Sequence, residues 1–307
     1  MTTATGRVAN PALLFVLIGL ACQEVGASIA VLLFPQVGPL GMVMLRLVFS
    51  AVILLIIARP RLRGHSAGGW RAVVRFGVVL ALMNGLFYLA LERLPLGVTV
   101  TIEVLGPLTL SIVASRRLSA WGCAALALAG VACLGGGGWA DLDLVGVLYA
   151  LGAAASWAFY ILSSARVGAE FPGLGGLALA MSVGAVLSLP FGVADAGAAL
   201  LRIDLLALGA AVAVLSSTIP YAFELIALRR LPPAVFAILM SLGPATAATA
   251  GFLLLGQHLT ALEIAGIALV IVASIAAVLT APRTAARDTT SDGPVAASTD
   301  PFTEPVG

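Results

Sequence analysis

Four side chains in this sequence are chemically out of place. Glu24, Arg46, Asn84 and Glu103 each interrupt a stretch that is otherwise apolar over about 20 residues, a length that crosses a membrane as a helix. An ionised group at the centre of such a helix costs about 2.5–3.5 kcal/mol on insertion scales, so it is expected to face a bundle interior and find a partner, water or ligand there. At about 1.5 Å per residue from the outer end of each stretch, Glu103 lies about 10 Å deep, Arg46 and Asn84 about 12 Å and Glu24 about 15 Å. Four polar groups on four stretches therefore share one narrow band of depth. Glu103 and Arg46 bring opposite charges to that depth, with Gln23, Glu24 and Asn84 as polar support. A Glu103–Arg46 pair that only ties helices together is the competing reading.

Aromatic groups extend the candidate site. Asn84 and Tyr88 are i, i+4; Trp157 and Tyr160 are i, i+3; Ser217, Tyr221 and Glu224 follow at i, i+4, i+7, so each set shares a helical face. Tyr88, Trp157, Tyr160 and Tyr221 are expected to wall a cavity. Trp157 lies about 10 Å from the inner end of its stretch, deeper than an interfacial aromatic belt. Glu224 is a few residues from an inner end, and a solvated helix terminus and a cavity role are both open for it. Other chemistry finds little support. His65 and His258 lie in loops far apart in sequence, and Cys22, Cys123 and Cys133 sit in apolar stretches without a CxxC spacing. No metal, cofactor or disulfide framework is expected. No His lies within a span to serve as a base, so an enzyme is not the expected reading. Gly135 to Gly138 lacks the Lys-Ser/Thr of a phosphate loop and reads as an outer loop.

The elements that must position these residues are announced by an internal repeat. Residues 89–109 read LALERLPLGVTVTIEVLGPLT, and residues 226–246 read IALRRLPPAVFAILMSLGPAT. Ten of the 21 positions are identical, where composition predicts roughly two. Each copy closes one apolar stretch at Leu-Pro and breaks the next at Gly-Pro. Paired breaks in two halves of an apolar chain point to the binding site of a transporter. Gly106, Pro107, Gly243 and Pro244 are therefore candidate hinges, and Pro220, just before Tyr221, joins them; a plain kink is the alternative.

The composition fixes the solvent. The chain is 61% hydrophobic and 10% charged with mean hydropathy +1.12, against about 25% charged residues in a soluble domain. Ten apolar stretches are long enough to span: 12–34, 37–58, 72–92, 96–115, 118–137, 144–164, 173–192, 205–228, 234–255 and 262–281. The predicted fold is an all-α membrane protein. Its ten transmembrane helices form two inverted five-helix repeats, 12–137 and 144–281, followed by a disordered cytoplasmic tail at 283–307. The first stretch carries Gln23 and Glu24 in its middle and has no clear cleavage site, so it reads as a span and not a signal peptide. All 16 basic residues are Arg. With both termini in the cytoplasm, nearly all of the loop arginines fall inside, and only Arg93 and Arg202 fall outside. Five spans per half is an odd number, so the halves sit upside down relative to each other. The net charge of +2 and its scatter through short loops argue against nucleic acid.

The residues FPQVGPLGMVMLRL (34–47), MNGLFYLALERLPLGVTVTIEVLGP (83–107), ASWAFYILSSARVGAE (155–170), IPYAFELIALRRLP (219–232) and LMSLGP (239–244) together resemble the drug/metabolite transporter superfamily with EamA-type repeats. Within it the chain is most similar to the inner-membrane threonine and homoserine exporters. The resemblance covers about residues 12–281. It implies ten helices around a central cavity and export of small amino acids in exchange for protons. It also implies partners limited to the amino acid, the proton and the lipid bilayer, with self-association into a homodimer left open. The chain departs from the pattern at Gly243, where an acidic residue is expected, and at Gln257, where the pattern has Glu. A carrier of another metabolite or a cationic drug, and a non-transporting membrane scaffold, are the remaining alternatives.

Overall fold

Lipid offers no hydrogen bonds to a backbone, so a chain this apolar satisfies its amides within helices. The computed structural model describes residues 11–115, 118–134, 143–171, 173–228, 230–231 and 233–280, and among them there is no strand. All ten predicted spans are helical. The first three are α1 (Pro11–Val37), α2 (Pro39–Ala58) and α3 (Ala67–Leu91). The fourth is divided into α4 (Leu96–Glu103) and α5 (Leu105–Ser115), and the fifth is α6 (Leu118–Leu134). The sixth and seventh are α7 (Leu144–Glu170) and α8 (Gly175–Ala196). The eighth runs as α9 (Ile203–Ala213), a π-helical turn at Val214–Thr218, and α10 (Ile219–Leu228). The ninth is divided into α11 (Pro233–Met240) and α12 (Gly243–Leu255), and the tenth is α13 (Ala261–Thr280). Eight of these spans are long and apolar enough to cross a membrane as described, and two shorter apolar helices, Leu96–Leu110 and Trp121–Leu134, fall in the fourth and fifth. The predicted tail at 283–307 and the loop at Gly135–Gly138 lie outside the described residues.

The three interruptions have one cause. Proline has no N–H, so the carbonyl four residues before it loses its helical partner. For Pro107, Pro220 and Pro244 those carbonyls belong to Glu103, Ser216 and Met240. α4 ends at Glu103, α11 ends at Met240 and the π turn contains Ser216.

Helix contacts pair the spans in a regular way. α1 lies against α10 and the π turn, and α3 against α7. α2 crosses α8, α4 crosses α12 and α6 crosses α13. In span order these are 1 with 8, 3 with 6, 2 with 7, 4 with 9 and 5 with 10. Exchanging every span for the one five places along reproduces the same set. The largest apolar core joins α2, α3 and α8 around Met42, Leu47, Leu80 and Met181. At one end of the molecule, Asp195 at the end of α8 accepts from the N–H groups of Leu40 (2.8 Å) and Gly41 (3.2 Å). At that same end Gln257 accepts from the N–H of Leu96 at 2.9 Å. The glutamine that departs from the related pattern thus satisfies the first turn of α4.

Several crossings are close enough to require glycine, Gly97 and Gly106 among them. A Cβ on Gly97 would stand 2.9 Å from the Cα of Ala248, and one on Gly106 would stand 2.0 Å from the carbonyl oxygen of Ala154. Both obstacles are backbone atoms with no rotamer to yield, and the second is the closer. Gly106→Ala is therefore expected to destabilise the folded protein by about 1–3 kcal/mol, the usual range for an overpacked site. Thermal unfolding of the purified protein in detergent measures this, with Gly122→Ala, where a Cβ meets open space, expected to unfold like the parent.

Candidate functional site

The π turn and the breaks surround one cavity of about 460 Å³. Nine of the ten predicted site residues line it: Gln23 and Glu24 from α1, Arg46 from α2, Asn84 from α3, Glu103 at the end of α4, Trp157 and Tyr160 from α7, and Tyr221 and Glu224 from α10. Pro107 also reaches the lining, whereas Gly106, Pro220, Gly243 and Pro244 are buried and do not. The wall continues through Phe236 and Met240 of α11 to Ser274, Ala277 and Val278 of α13. At the opposite end the helices close on one another through Leu91, Leu96, Val100, Ala247 and Ala250, with Phe34 and Phe87 against them.

Tyr88 is the exception. It was expected in the wall, but it is fully buried and does not line the cavity. It shares a helical face with Asn84 but stands one turn, about 5.4 Å, further along α3. There Arg46 covers it: the guanidinium carbon is 5.6 Å from the centre of the Tyr88 ring, and Nη1 donates to the Tyr88 hydroxyl at 3.4 Å. Phe34, tilted, and Phe87, edge-on, pack around the same ring.

Arg46 is held by neutral acceptors. Nη2 donates to the carbonyl of Ser216 at 3.0 Å and Nε donates to Ser217 Oγ at 3.2 Å. The Ser216 carbonyl is the one released by Pro220. The ion pairs among the described residues are Arg93–Asp143 and Arg202–Asp204, both at the surface, and no carboxylate lies within 4.0 Å of Arg46. The direct Glu103–Arg46 tie weighed from the sequence is absent. The cavity thus presents one guanidinium and three separate carboxylates, Glu24, Glu103 and Glu224.

Some of the lining groups are short of partners. Buried polar atoms are nearly always hydrogen-bonded, yet five side-chain atoms among the described residues are buried without a partner, and three belong to lining residues: Glu24 Oε2, Ser216 Oγ and Ser274 Oγ. Asn84, by contrast, donates from Nδ2 to the carbonyl of Leu80 at 2.8 Å. Among the described residues no group of three His, Cys, Asp or Glu could hold a metal. The chemistry on offer is recognition of a small molecule with separated charges between aromatic walls.

The sequence reading missed Ser216, Ser274, Met83, Phe87, Phe236 and Met240. Two of them had a signal: Ser216 lies four residues before Pro220, and Met240 holds the place in the second repeat that Glu103 holds in the first. Ser217→Ala leaves the charged Nε without its acceptor, and breaking such a bond costs about 1.5–3 kcal/mol. A fall in unfolding temperature, together with no loss in Ser163→Ala, is the expected result.

Comparison with known proteins gives a consistent picture. The EamA-like transporter family profile matches residues 144–279. The threonine/homoserine exporter RhtA of Salmonella typhimurium strain SL1344 is 39% identical over 273 residues, 88% of this chain and 92% of that protein. The exporter of the same name from Escherichia coli strain K12 is 38% identical over 270 residues, 87% and 91% of the two chains. A solved structure described only as "Crystal structure of protein" superimposes with TM-score 0.60 over 87% of this chain and 97% of its own, at 18% identity. That likeness concerns the fold alone.

Proposed function

The chain belongs to the EamA-like transporter family, and from that premise we propose that it exports small amino acids of the threonine and homoserine kind across the cytoplasmic membrane in exchange for protons. The observation that carries the reading is one cavity holding Arg46 apart from Glu24, Glu103 and Glu224, with Trp157, Tyr160 and Tyr221 as its walls. A zwitterion has two charges to satisfy, and a guanidinium with carboxylates held separately can meet both. The names of the relatives at 38–39% identity support the choice of substrate.

In this reading the two units are 12–137 and 144–281, inverted with respect to each other, and both termini are cytoplasmic. The matched Gly-Pro breaks and the exchangeable span pairs support it. Gly106, Pro107, Pro220, Gly243 and Pro244 serve as hinges. The cavity wall extends to Val278 in the last turn of α13, while Leu91, Leu96 and Val100 close the far end. With the termini inside, this is a carrier open to the cytoplasm and ready to load. Cysteine at Leu201, in a cysteine-free background, is expected to react with an impermeant thiol reagent added outside intact cells, and cysteine at Leu62 is not. The opposite pattern overturns the orientation.

Coupling follows from competition. A proton and the substrate ammonium both bind the Glu103 carboxylate. Outside an energised cell the higher proton concentration favours protonation and release; inside, loss of the proton restores the anion for loading. Exchange needs no second site if the empty, ionised carrier seldom reorients. Glu103→Gln mimics the protonated form. It is expected to abolish threonine binding and net export and to remove the pH dependence of any residual flux. Labelled threonine flux in proteoliposomes, with and without a pH gradient, measures this. Parental affinity with a parental pH response would reduce Glu103 to a structural role. The excess of carboxylates favours a second reading, a cationic metabolite, which the same liposomes test by counterflow with an amine lacking a carboxylate.

A further inference from the structure

A second concavity lies at the end of the molecule where the central cavity opens, between the first turns of α3 and the last turns of α7. It encloses about 510 Å³, and its charged lining is Arg71, Arg75, Arg166 and Glu170, with Ser163 beside them. Arg71 and Arg75 are i, i+4 on α3 and point the same way; Arg166 faces them from α7. The one carboxylate accepts from Ser66 Oγ at 2.9 Å. Arg71 uses Nε on the carbonyl of Ala67 at 3.3 Å. Among the described residues its terminal nitrogens, Arg75 and Arg166 make no hydrogen bond or ion pair within the protein. A general bias of arginine toward the inner loops, as at Arg61 and Arg63, would not require three of them to converge on one concavity.

The surface beside this concavity is apolar and unpartnered. Val74, Val78 and Leu82 follow one exposed face of α3 away from Arg71, and Leu162 and Phe159 do the same on α7. We propose that this groove binds an anionic phospholipid, with the phosphodiester headgroup among Arg71, Arg75 and Arg166 and the acyl chains along those two stripes. Guanidinium groups match phosphate oxygens in forked pairs, which gives a planar, directional grip that a point charge lacks. Basic pockets between membrane helices on the cytoplasmic side are suited to such headgroups. The apolar stripes argue for a lipid and against a free phosphate, which would use the arginines alone. The site is independent of whatever the central cavity carries.

Native mass spectrometry of the full chain in detergent, delipidated and then given phosphatidylglycerol or phosphatidylcholine, tests the assignment. The parent is expected to retain phosphatidylglycerol at least tenfold better than phosphatidylcholine. Arg75→Gln with Arg166→Gln is expected to lose that preference, while Arg61→Gln with Arg63→Gln, which removes the same charge nearby, keeps it. Should the first pair fail to fold, Arg75→Gln and Arg166→Gln singly are each expected to weaken retention about threefold. Equal loss in both double variants, or no preference in the parent, overturns the proposal. Displacement of the lipid by inorganic phosphate at equal concentration also overturns it, assigning the groove to a soluble anion.

Discussion

Arg46 must remain charged deep in an apolar bundle, and the protein meets that demand without spending a carboxylate. A guanidinium needs acceptors in fixed directions. It takes them from the Ser216 carbonyl and Ser217 Oγ of the π turn and from the Tyr88 hydroxyl of α3. The carbonyl is available only because Pro220 cannot donate to it. A single proline thus turns a helical backbone group into a ligand for a buried cation. The carboxylates remain uncommitted as a result, and an uncommitted carboxylate is what binding and release of a cationic group require.

The same device is used three times with different results. Pro107 and Pro244 sit at crossing helices whose backbones nearly touch, as the Gly97–Ala248 approach illustrates. In the proposed reading, breaks placed at a tight crossing let the segments on either side change direction while the crossing itself holds. Pro220 lies on a helix that faces α1, and there the break makes an acceptor. Sequence position alone does not show which break also supplies an acceptor; the neighbour facing the freed carbonyl does.

Much of this was legible before any coordinates. Span ends fixed by arginines and Leu-Pro turns, with a known rise per residue, were enough to place Glu24, Arg46, Asn84 and Glu103 at one depth, and they do share a cavity. Tyr88 was misplaced because its ring is covered by Arg46, Phe34 and Phe87, which helical spacing does not report. The partners of Arg46 were legible only in part: Pro220 marks the carbonyl it releases, but nothing in the sequence says which cation faces it. Nor was the separation of Arg46 from Glu103, since helical spacing reports facing positions and says nothing of distances across a cavity. Gln257 looked like a loss of charge against the related pattern, yet its amide oxygen is the atom the first turn of α4 uses.

The proposed exchange of a zwitterion for a proton has an electrical consequence. An amino-acid zwitterion carries no net charge, whereas a proton carries one. A cycle that sends one zwitterion out and brings one proton in therefore moves a full elementary charge inward. The membrane potential then acts on the cycle as well as the pH difference, by about 2.3 kcal/mol per 100 mV. That is close to the work of concentrating a neutral solute about fiftyfold. Under that exchange the carrier would continue to export from a cell whose interior and surroundings have the same pH, provided the interior stays negative.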